Sequence, residues 1–154
     1  MKKALAYCFL MTGVVALFAG CAIQNATGPK HAEVSKIIPA LEQDQGRIFI
    51  YSWRLKFGGI PQPAIKLNNE MIGKAVPGGF FYVDRPVGEY EISTETEVKR
   101  TLSFLLDKGQ TRYVRLGMSS GFWELHIYPE LVEPKKAQEE INSCSYVGAP
   151  LGTR

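Results

Sequence analysis

One serine motif in the chain has the spacing of an activated nucleophile. Gly117-Met118-Ser119-Ser120-Gly121 fits the pattern Gly-x-Ser-x-Gly, which in serine hydrolases places the nucleophile on a strained turn between a strand and a helix. The serine needs a base within hydrogen-bond reach, and His126 is the histidine near it in sequence. Because the residues after the motif predict another strand, the pattern favours a hairpin loop. We therefore expect no catalytic residue here.

A row of glutamates is the second candidate for chemistry. Glu89, Glu91, Glu95 and Glu97 share one face of the alternating stretch 89–98. Such a row could bind a cation, but it is more typical of a solvated strand face that also discourages edge-to-edge pairing. Elsewhere, no His and Cys cluster has zinc spacing, and no glycine-rich loop with Lys-Ser or Lys-Thr would cradle a phosphate. We expect no metal and no cofactor.

Aromatic side chains are the remaining candidates, since they are common at binding surfaces and equally common in sandwich cores. Trp53 and Trp123 share their parity with aliphatic neighbours, which favours the core for both. Aromatic residues that adjoin the glycines at 78–79 and 121 are expected to project outward from loops. The candidate binding residues are Phe80, Phe81, Tyr82 and Phe122.

The first 20 residues have the layout of a signal peptide. Lys2 and Lys3 are positive, residues 4–19 are almost entirely apolar, and small residues precede Cys21. The apolar run is shorter than the stretch of about 20 residues that spans a bilayer comfortably. Ala19-Gly20-Cys21 resembles the lipobox of bacterial lipoproteins. In that family the signal is cut before the cysteine, the thiol is alkylated by a diacylglycerol, and the new amine is acylated.

The lipobox resemblance implies a membrane anchor at Cys21. One acyl chain adds about 0.8 kcal/mol per buried methylene and holds only marginally, whereas two or three chains hold effectively permanently. Ala22 follows the cysteine, and the lack of Asp at that place favours the outer membrane in enterobacterial-type sorting. The expected location is therefore the cell envelope, with the chain in the outer membrane and facing the periplasm.

Charge and cysteine content narrow the remaining possibilities. The 154 residues carry a formal net charge of +3, to which Lys2 and Lys3 of the signal contribute. A near-neutral exported chain is not expected to bind nucleic acid. Cys8 leaves with the signal and Cys21 carries lipid, so Cys144 is alone. A lone thiol in an oxidising compartment is either buried or paired with another chain, and its surroundings favour burial on a helix face.

Strand patterns dominate the chain from residue 46. Further strands are expected at 64–67, 71–76, 79–84, 89–98, 101–106, 111–118 and 122–128, with turn residues between them. The spacing predicts a mainly β fold, a small antiparallel β-sandwich of about seven to eight strands. Glu133-Pro134 is expected to open a short C-terminal helix.

The strand and turn signals divide the chain into four parts. These are a signal peptide (1–20), a lipidated N-terminus and tether (21–45), the sandwich (46–131) and a C-terminal helix and tail (132–154). The tether is poor in large apolar residues, and a short helical turn is expected within residues 37–45.

The order of short motifs along the sandwich matches one family. These motifs are residues 46–51, 65–69, 72–73, 79–82, 86–92, Gly109 and residues 113–115. In that order they resemble the bacterial lipoproteins that carry domain of unknown function 2846. The resemblance implies a small β-sandwich similar to transthyretin-like or carboxypeptidase-regulatory-like domains. It transfers no catalytic residue.

The expected function is a non-enzymatic module of the envelope. It would be held at the membrane by lipid on Cys21 and would bind an envelope protein or polymer through its loops or an open sheet edge. A purely structural lipoprotein that helps to assemble an envelope complex is a second possibility. The alternative is a small envelope hydrolase that uses Ser119 or Ser120 with His126, or a pair of glutamates.

Overall fold

The computed structural model describes residues 25–55, 62–120 and 125–149. The predicted signal peptide, Cys21, Phe122 and Trp123 lie outside these ranges. The elements are α1 (His31–Val34), β1 (Gln45–Ser52), β2 (Ala64–Leu67), β3 (Glu70–Lys74), β4 (Gly79–Pro86), β5 (Gly88–Glu95), β6 (Lys99–Leu106), β7 (Thr111–Ser120), β8 (Leu125–Leu131), α2 (Pro134–Ile141) and β9 (Ser145–Tyr146).

Two packed sheets form a sandwich, which confirms the predicted fold class and the short C-terminal helix. Sheet A has the order β8-β7-β1-β4-β9, and sheet B has the order β3-β2-β5-β6. Sheet A is mixed rather than purely antiparallel, because β1 runs parallel to β7 and β4 runs parallel to β9. Side chains alternate with period two in both kinds of sheet, so the sequence pattern carries no information on strand direction.

The main core lies between the inner faces of the two sheets. Its fully buried members include Ile48 and Val114 of sheet A and Ile65, Ile92 and Leu106 of sheet B. Full burial of such a side chain stabilises the fold by about 1.5–3 kcal/mol relative to exposure. The side chains of Ile48 and Ile50, on one of the two apolar faces of β1, point into this core.

A second cluster covers the outer face of sheet A. Phe49, Tyr51, Phe80 and Tyr113 lie on this face beneath α1 and α2, which contribute Val34, Ala137 and Ile141. Ala137 and Ile141 are four residues apart, so they share the buried stripe of α2. Proline at the first turn of α2 lacks only an N–H that would be unsatisfied anyway. Sheet A is therefore buried on both faces, whereas sheet B is covered on one.

The stretch that we assigned to a tether is packed against the sandwich from Asn25 onward. The amide N–H of Ala26 donates to the carbonyl of Pro77 at 2.8 Å, and Val34 is completely buried. The helical turn is at His31–Val34, earlier than the expected 37–45. The sequence pattern missed this docking because it depends on backbone hydrogen bonds and on one large apolar residue, Val34.

The alternating stretch 89–98 supplies most of β5, on whose outer face Glu89 and Glu95 are exposed as predicted, whereas Ser93 on that face is buried. Glu91 on that face pairs with Lys99 of β6 at 3.4 Å. The interpretation that the glutamates discourage edge pairing is wrong, because β5 lies between β2 and β6 inside sheet B. An exposed pair of this kind contributes at most about 1 kcal/mol.

Candidate binding surface

The predicted binding aromatics are mostly covered. Phe80 is 0% exposed and Phe81 is 5% exposed, so the prediction that they project from a loop is wrong. Both lie within β4, an interior strand between β1 and β9, and each face of sheet A is covered at that point. Tyr82 is half-buried, and Phe122 lies outside the described residues.

Trp53, which we expected in the core, is the exposed aromatic of this region. It follows the last residue of β1 and is 44% exposed. One ring face lies over a guanidinium, with Cζ of Arg115 at 4.5 Å from the ring centroid. Parity predicted the correct sheet face for Trp53, but the side chain is open to solvent on that face. The indole is therefore fixed on one side and open to solvent on the other.

Arg115 is 8% exposed and is held by two carboxylates. Its Nε donates to Glu130 Oε1 at 2.9 Å, and its Nη1 donates to Glu140 Oε1 at 2.6 Å. Glu130 is the residue directly opposite Arg115 across the β7–β8 pair, and Glu140 comes from α2. The hydrogen bond that Arg115 donates to Glu130, with the one it donates to Glu140, raises the pKa of Arg115 despite its burial. The cation is thus permanent, and its position is fixed.

Tyr51 continues this network beneath α2. Its hydroxyl donates to Glu140 Oε2 at 2.7 Å. Burial, followed by the hydrogen bond to Glu140, raises the pKa of Tyr51 far above its usual value, so the phenol stays neutral. Cys144 is buried nearby, as predicted, but it lies beyond the end of α2 at Ile141 and not on the helix face that we expected. Its thiol donates to the carbonyl of Ser52 at 3.5 Å. Burial raises the pKa of the Cys144 thiol, which keeps it in the unreactive protonated form.

A second buried arginine lies on the same face of sheet A. Arg47 is 9% exposed, and its Nε and Nη2 both donate to Asp84 at 2.7 Å. Its Nη2 also donates to the carbonyl of Pro39 at 2.8 Å. Cζ of Arg47 lies 4.8 Å from the centroid of the half-buried Tyr82 ring. This bidentate pair joins β1 to β4 and to the N-terminal segment.

We call the patch formed by Trp53, Arg115, Gly117, Tyr128 and Glu130 the Trp53 surface. Gly117 and Tyr128 are cross-strand partners, and a Cβ at Gly117 would lie only 2.7 Å from Cζ of Tyr128. Glycine therefore lets the tyrosine ring lie directly on the strand backbone. The patch joins aromatic rings with a fixed cation and a carboxylate. Neither the Trp53–Arg115 stack nor the Gly117–Tyr128 contact was predicted from the sequence.

Other exposed apolar side chains of the described part of the chain are spread over several strands and turns. Met71 is 55% exposed on β3 and Leu105 is 50% exposed on β6, at opposite edges of sheet B. Scattered exposure of this kind is ordinary for a protein surface. The Trp53 surface is distinguished by its combination of an open aromatic ring with buried charges rather than by apolar area.

The serine motif lies inside a strand. Gly117 to Ser120 belong to β7, not to the strand-to-helix turn of a nucleophile elbow, and not to the hairpin loop that we expected. Ser119 and His126 are nevertheless directly opposite each other in the β7–β8 pair. Side chains of such partners point to the same face, with Cβ atoms about 4.5–5.5 Å apart. The two candidate residues are therefore neighbours at the end of the Trp53 surface.

The described ranges also contain open space beside sheet A, and neither a metal-binding group nor a membrane-spanning helix is found in them. A cavity of about 160 Å³ lies between the start of β7 and residues 131–134, and an open cleft of about 400 Å³ lies between residues 25–28 and Val147. Within 25–55, 62–120 and 125–149, no three His, Cys, Asp or Glu side chains are grouped to hold a metal ion. Over the same ranges, no helix has the length and apolar character needed to cross a membrane.

The fold and this surface define a small mixed β-sandwich with a helix-covered outer face. The family described as Protein of unknown function (DUF2846) matches residues 42–126, more than half of the chain. The chain belongs to this family. It is also similar to an uncharacterized protein of Haemophilus influenzae, with 27% identity over 136 residues that cover 84% of this chain and 79% of the relative. No solved structure matches the chain.

Proposed function

We propose that the chain is a lipid-anchored, non-catalytic module of the cell envelope that binds an envelope protein through the Trp53 surface. The lipobox at Ala19-Gly20-Cys21 supports the anchor. Membership of a family described without an activity is compatible with a binding role. The expected location is the outer membrane, with the sandwich in the periplasm.

The observation that carries this proposal is the exposure of the Trp53 ring above a buried arginine, Arg115. Its ring is 44% exposed, yet the cation beneath it is 8% exposed and bound by two carboxylates. Trp, Tyr and Arg are the residue types most enriched at the energetic centres of protein interfaces. Because Arg115 is fixed before binding, little side-chain entropy is lost when a partner covers the indole. This preorganisation favours a protein partner over a loosely held polymer.

The test is chemical cross-linking in intact envelopes, followed by recovery of the chain. We compare the native protein with Trp53→Ala and with a matched control, Met71→Ala, which removes another exposed apolar side chain from sheet B. Loss of about 2 kcal/mol, typical of an interface hot spot, weakens binding by about 30-fold. We expect Trp53→Ala to lose the captured protein and Met71→Ala to keep it.

Two results would contradict the binding role of this surface. One is a partner retained equally by both variants, and the other is recovery of an envelope polymer instead of a protein. The anchor is tested separately with Cys21→Ala. If that variant still fractionates with the outer membrane, the lipid proposal fails whatever the Trp53 variants show.

A small envelope hydrolase is the second candidate function, favoured by the cross-strand pairing of Ser119 with His126. The test is labelling of the purified chain by a fluorophosphonate probe, with hydrolysis of simple esters as a second readout. Labelling that disappears in Ser119→Ala but persists in Ser103→Ala, an exposed serine of sheet B, would establish this function. We expect no labelling of either form, since Ser119 lies on a regular strand.

A further inference from the structure

The docked part of the chain begins close to the proposed lipid. The side-chain amide of Asn25 exchanges two hydrogen bonds with the backbone of Leu55, as Nδ2 donates to the carbonyl at 3.3 Å and Oδ1 accepts from the N–H at 3.2 Å. Ala26 is bonded to Pro77, and the amide N–H of Tyr146 donates to the carbonyl of Pro29 at 2.8 Å. The N-terminal segment is thus fixed to the sandwich from Asn25 onward.

Covalent geometry limits the distance between the lipid and this docking point. Cys21 and Asn25 are separated by three residues, so their Cα atoms are at most about 14 Å apart. The eight residues of β1 span about 25 Å along the strand. The free length is therefore shorter than the sandwich itself. A domain held in this way stays at the membrane surface and does not reach far from it.

Asn25 docks at one end of the sandwich, which we call the anchor end. The C-terminal ends of β1, β3 and β5 and the N-terminal ends of β2, β4 and β6 meet there. This follows from the antiparallel registers within each sheet and from the short β3–β4 and β4–β5 connections between the sheets. Backbone hydrogen bonds join these strand ends, such as the 2.9 Å hydrogen bond from the N–H of Gly78 to the carbonyl of Trp53. The opposite, distal end holds the starts of β1, β3 and β5.

Charge differs between the two ends in the described part of the chain. Exposed cations at the anchor end are Arg54, Lys74, Lys99 and Arg100, against the exposed anions Glu95 and Glu97. The balance reverses at the distal end, where the exposed anions outnumber the exposed cations Lys108, Lys135 and Lys136; these anions are Glu42, Asp44, Glu70, Glu89, Asp107 and Glu133. An anionic phospholipid surface attracts the first end and repels the second.

We propose that the anchor end of the sandwich lies against the membrane, with Arg54 and Lys74 at the level of the lipid phosphates and the distal end pointing away. This orientation rests on the proposed lipid at Cys21. It deepens that proposal, because the Trp53 surface then opens sideways beside the bilayer. A partner must reach the membrane surface to bind there.

The experiment measures the depth of two labelled sites in the full, lipidated chain. A fluorophore is attached through Gln62→Cys at the anchor end or through Val87→Cys at the distal end, both at exposed positions. Cys21 is blocked by lipid and Cys144 is buried, so an unlabelled native chain serves as the labelling control. Each protein is reconstituted in vesicles of phosphatidylethanolamine and phosphatidylglycerol that contain a nitroxide-headgroup lipid.

We expect quenching at position 62 to exceed quenching at position 87 several-fold. Equal quenching at both sites, or stronger quenching at 87, overturns the orientation. Flotation of the same samples separates the two proposals. Protein that floats without a difference in quenching retains the anchor and refutes the orientation, whereas protein that does not float refutes the anchor and the orientation with it.

Charge reversal tests the role of the basic end independently of the label. Arg54→Glu combined with Lys74→Glu should lower the quenching at position 62 at least twofold on these vesicles. The matched pair Lys108→Glu with Lys135→Glu reverses two exposed cations outside the anchor end and should leave quenching unchanged. Equal effects of the two pairs would mean that net charge, not the placement of Arg54 and Lys74, determines the orientation, and would overturn the assignment.

Discussion

Arg47 and Arg115 occupy the same outer face of sheet A but in different settings. Each is less than a tenth exposed, each is hydrogen-bonded to carboxylates, and each lies against an aromatic ring. Arg47 is covered by the N-terminal segment, since its Nη2 donates to the carbonyl of Pro39, and its aromatic neighbour Tyr82 is half-buried. Above Arg115 the ring is Trp53, and it is open to solvent.

The comparison shows how one interaction can serve two purposes. Replacing a buried ion pair by well-packed apolar side chains is often neutral or stabilising, so neither arginine is explained by stability alone. Arg47 fixes the N-terminal segment through Pro39, which is a structural task. Arg115 instead supports an exposed aromatic ring, which is the arrangement expected of a binding surface.

The largest expected effect comes from removing either cation. Arg47→Met and Arg115→Met each remove the cation that neutralises carboxylates in a largely buried site, at a cost of about 3 kcal/mol. Urea unfolding at neutral pH measures both. If only one variant loses less than about 1 kcal/mol of unfolding free energy, its ion pair is solvated and the two sites are not equally buried.

Truncation of the two aromatic rings should separate the sites. Tyr82→Ala removes a half-buried ring that packs on Arg47 and Phe49, and we expect a loss of about 2 kcal/mol. Trp53→Ala removes an exposed ring and should cost less than about 1 kcal/mol, mostly its contact with the guanidinium. Equal losses in the same unfolding assay would remove the distinction between a structural and a binding role.

Tyr51→Phe sharpens the description of the Arg115 site. It deletes the hydroxyl that donates to Glu140, while Arg115 still neutralises that carboxylate. The net loss of one such hydrogen bond is about 1 kcal/mol at neutral pH. Tyr113→Phe is a suitable control, because that hydroxyl accepts only a long 3.4 Å bond from Gln138. If Tyr113→Phe loses more unfolding free energy than Tyr51→Phe, the stronger hydrogen bond is the one at Tyr113.

The smallest expected effect is a change with pH in the difference in unfolding free energy between the native protein and Tyr51→Phe. The folded-state pKa of Tyr51 is raised, so its contribution is fully present below the unfolded-state pKa near 10 and is lost as pH rises above it. Between pH 10 and pH 11 the native protein should lose about 1 kcal/mol relative to Tyr51→Phe. Unfolding curves of both proteins at each pH give this value. A constant difference across that interval would show that the phenol ionises freely in the fold.

Much of the fold could be predicted from local patterns. Alternation identified β5 and its solvated face, breakers identified most turns, and the four-residue spacing of Ala137 and Ile141 identified the buried stripe of α2. The parallel pairing of β1 with β7 could not be predicted, because it depends on how the chain returns from sheet B to sheet A. The lipid anchor at Cys21 stays a prediction.

The candidate site was less predictable, since it depends on coverage. Parity states which residues share a face of a strand, and it correctly grouped Phe49, Tyr51 and Trp53. It does not state what packs on that face. Phe80 is buried in the cluster that α1 and α2 cover, whereas Trp53 is not part of that cluster and is exposed. Adjacency to glycine in the sequence therefore did not predict which aromatic side chains are exposed.

The sequence by itself determined most strands of the sandwich, the C-terminal helix, the two apolar parities of β1 and the family resemblance, because these depend on residues close together in the chain. The tertiary structure decided the partners of Arg115. Glu130 meets it through strand register and Glu140 through the docking of α2, at separations of 15 and 25 residues. Contacts of that kind follow from packing, which no local period encodes. The same packing left Trp53 open to solvent and fixed Asn25 close to the expected anchor.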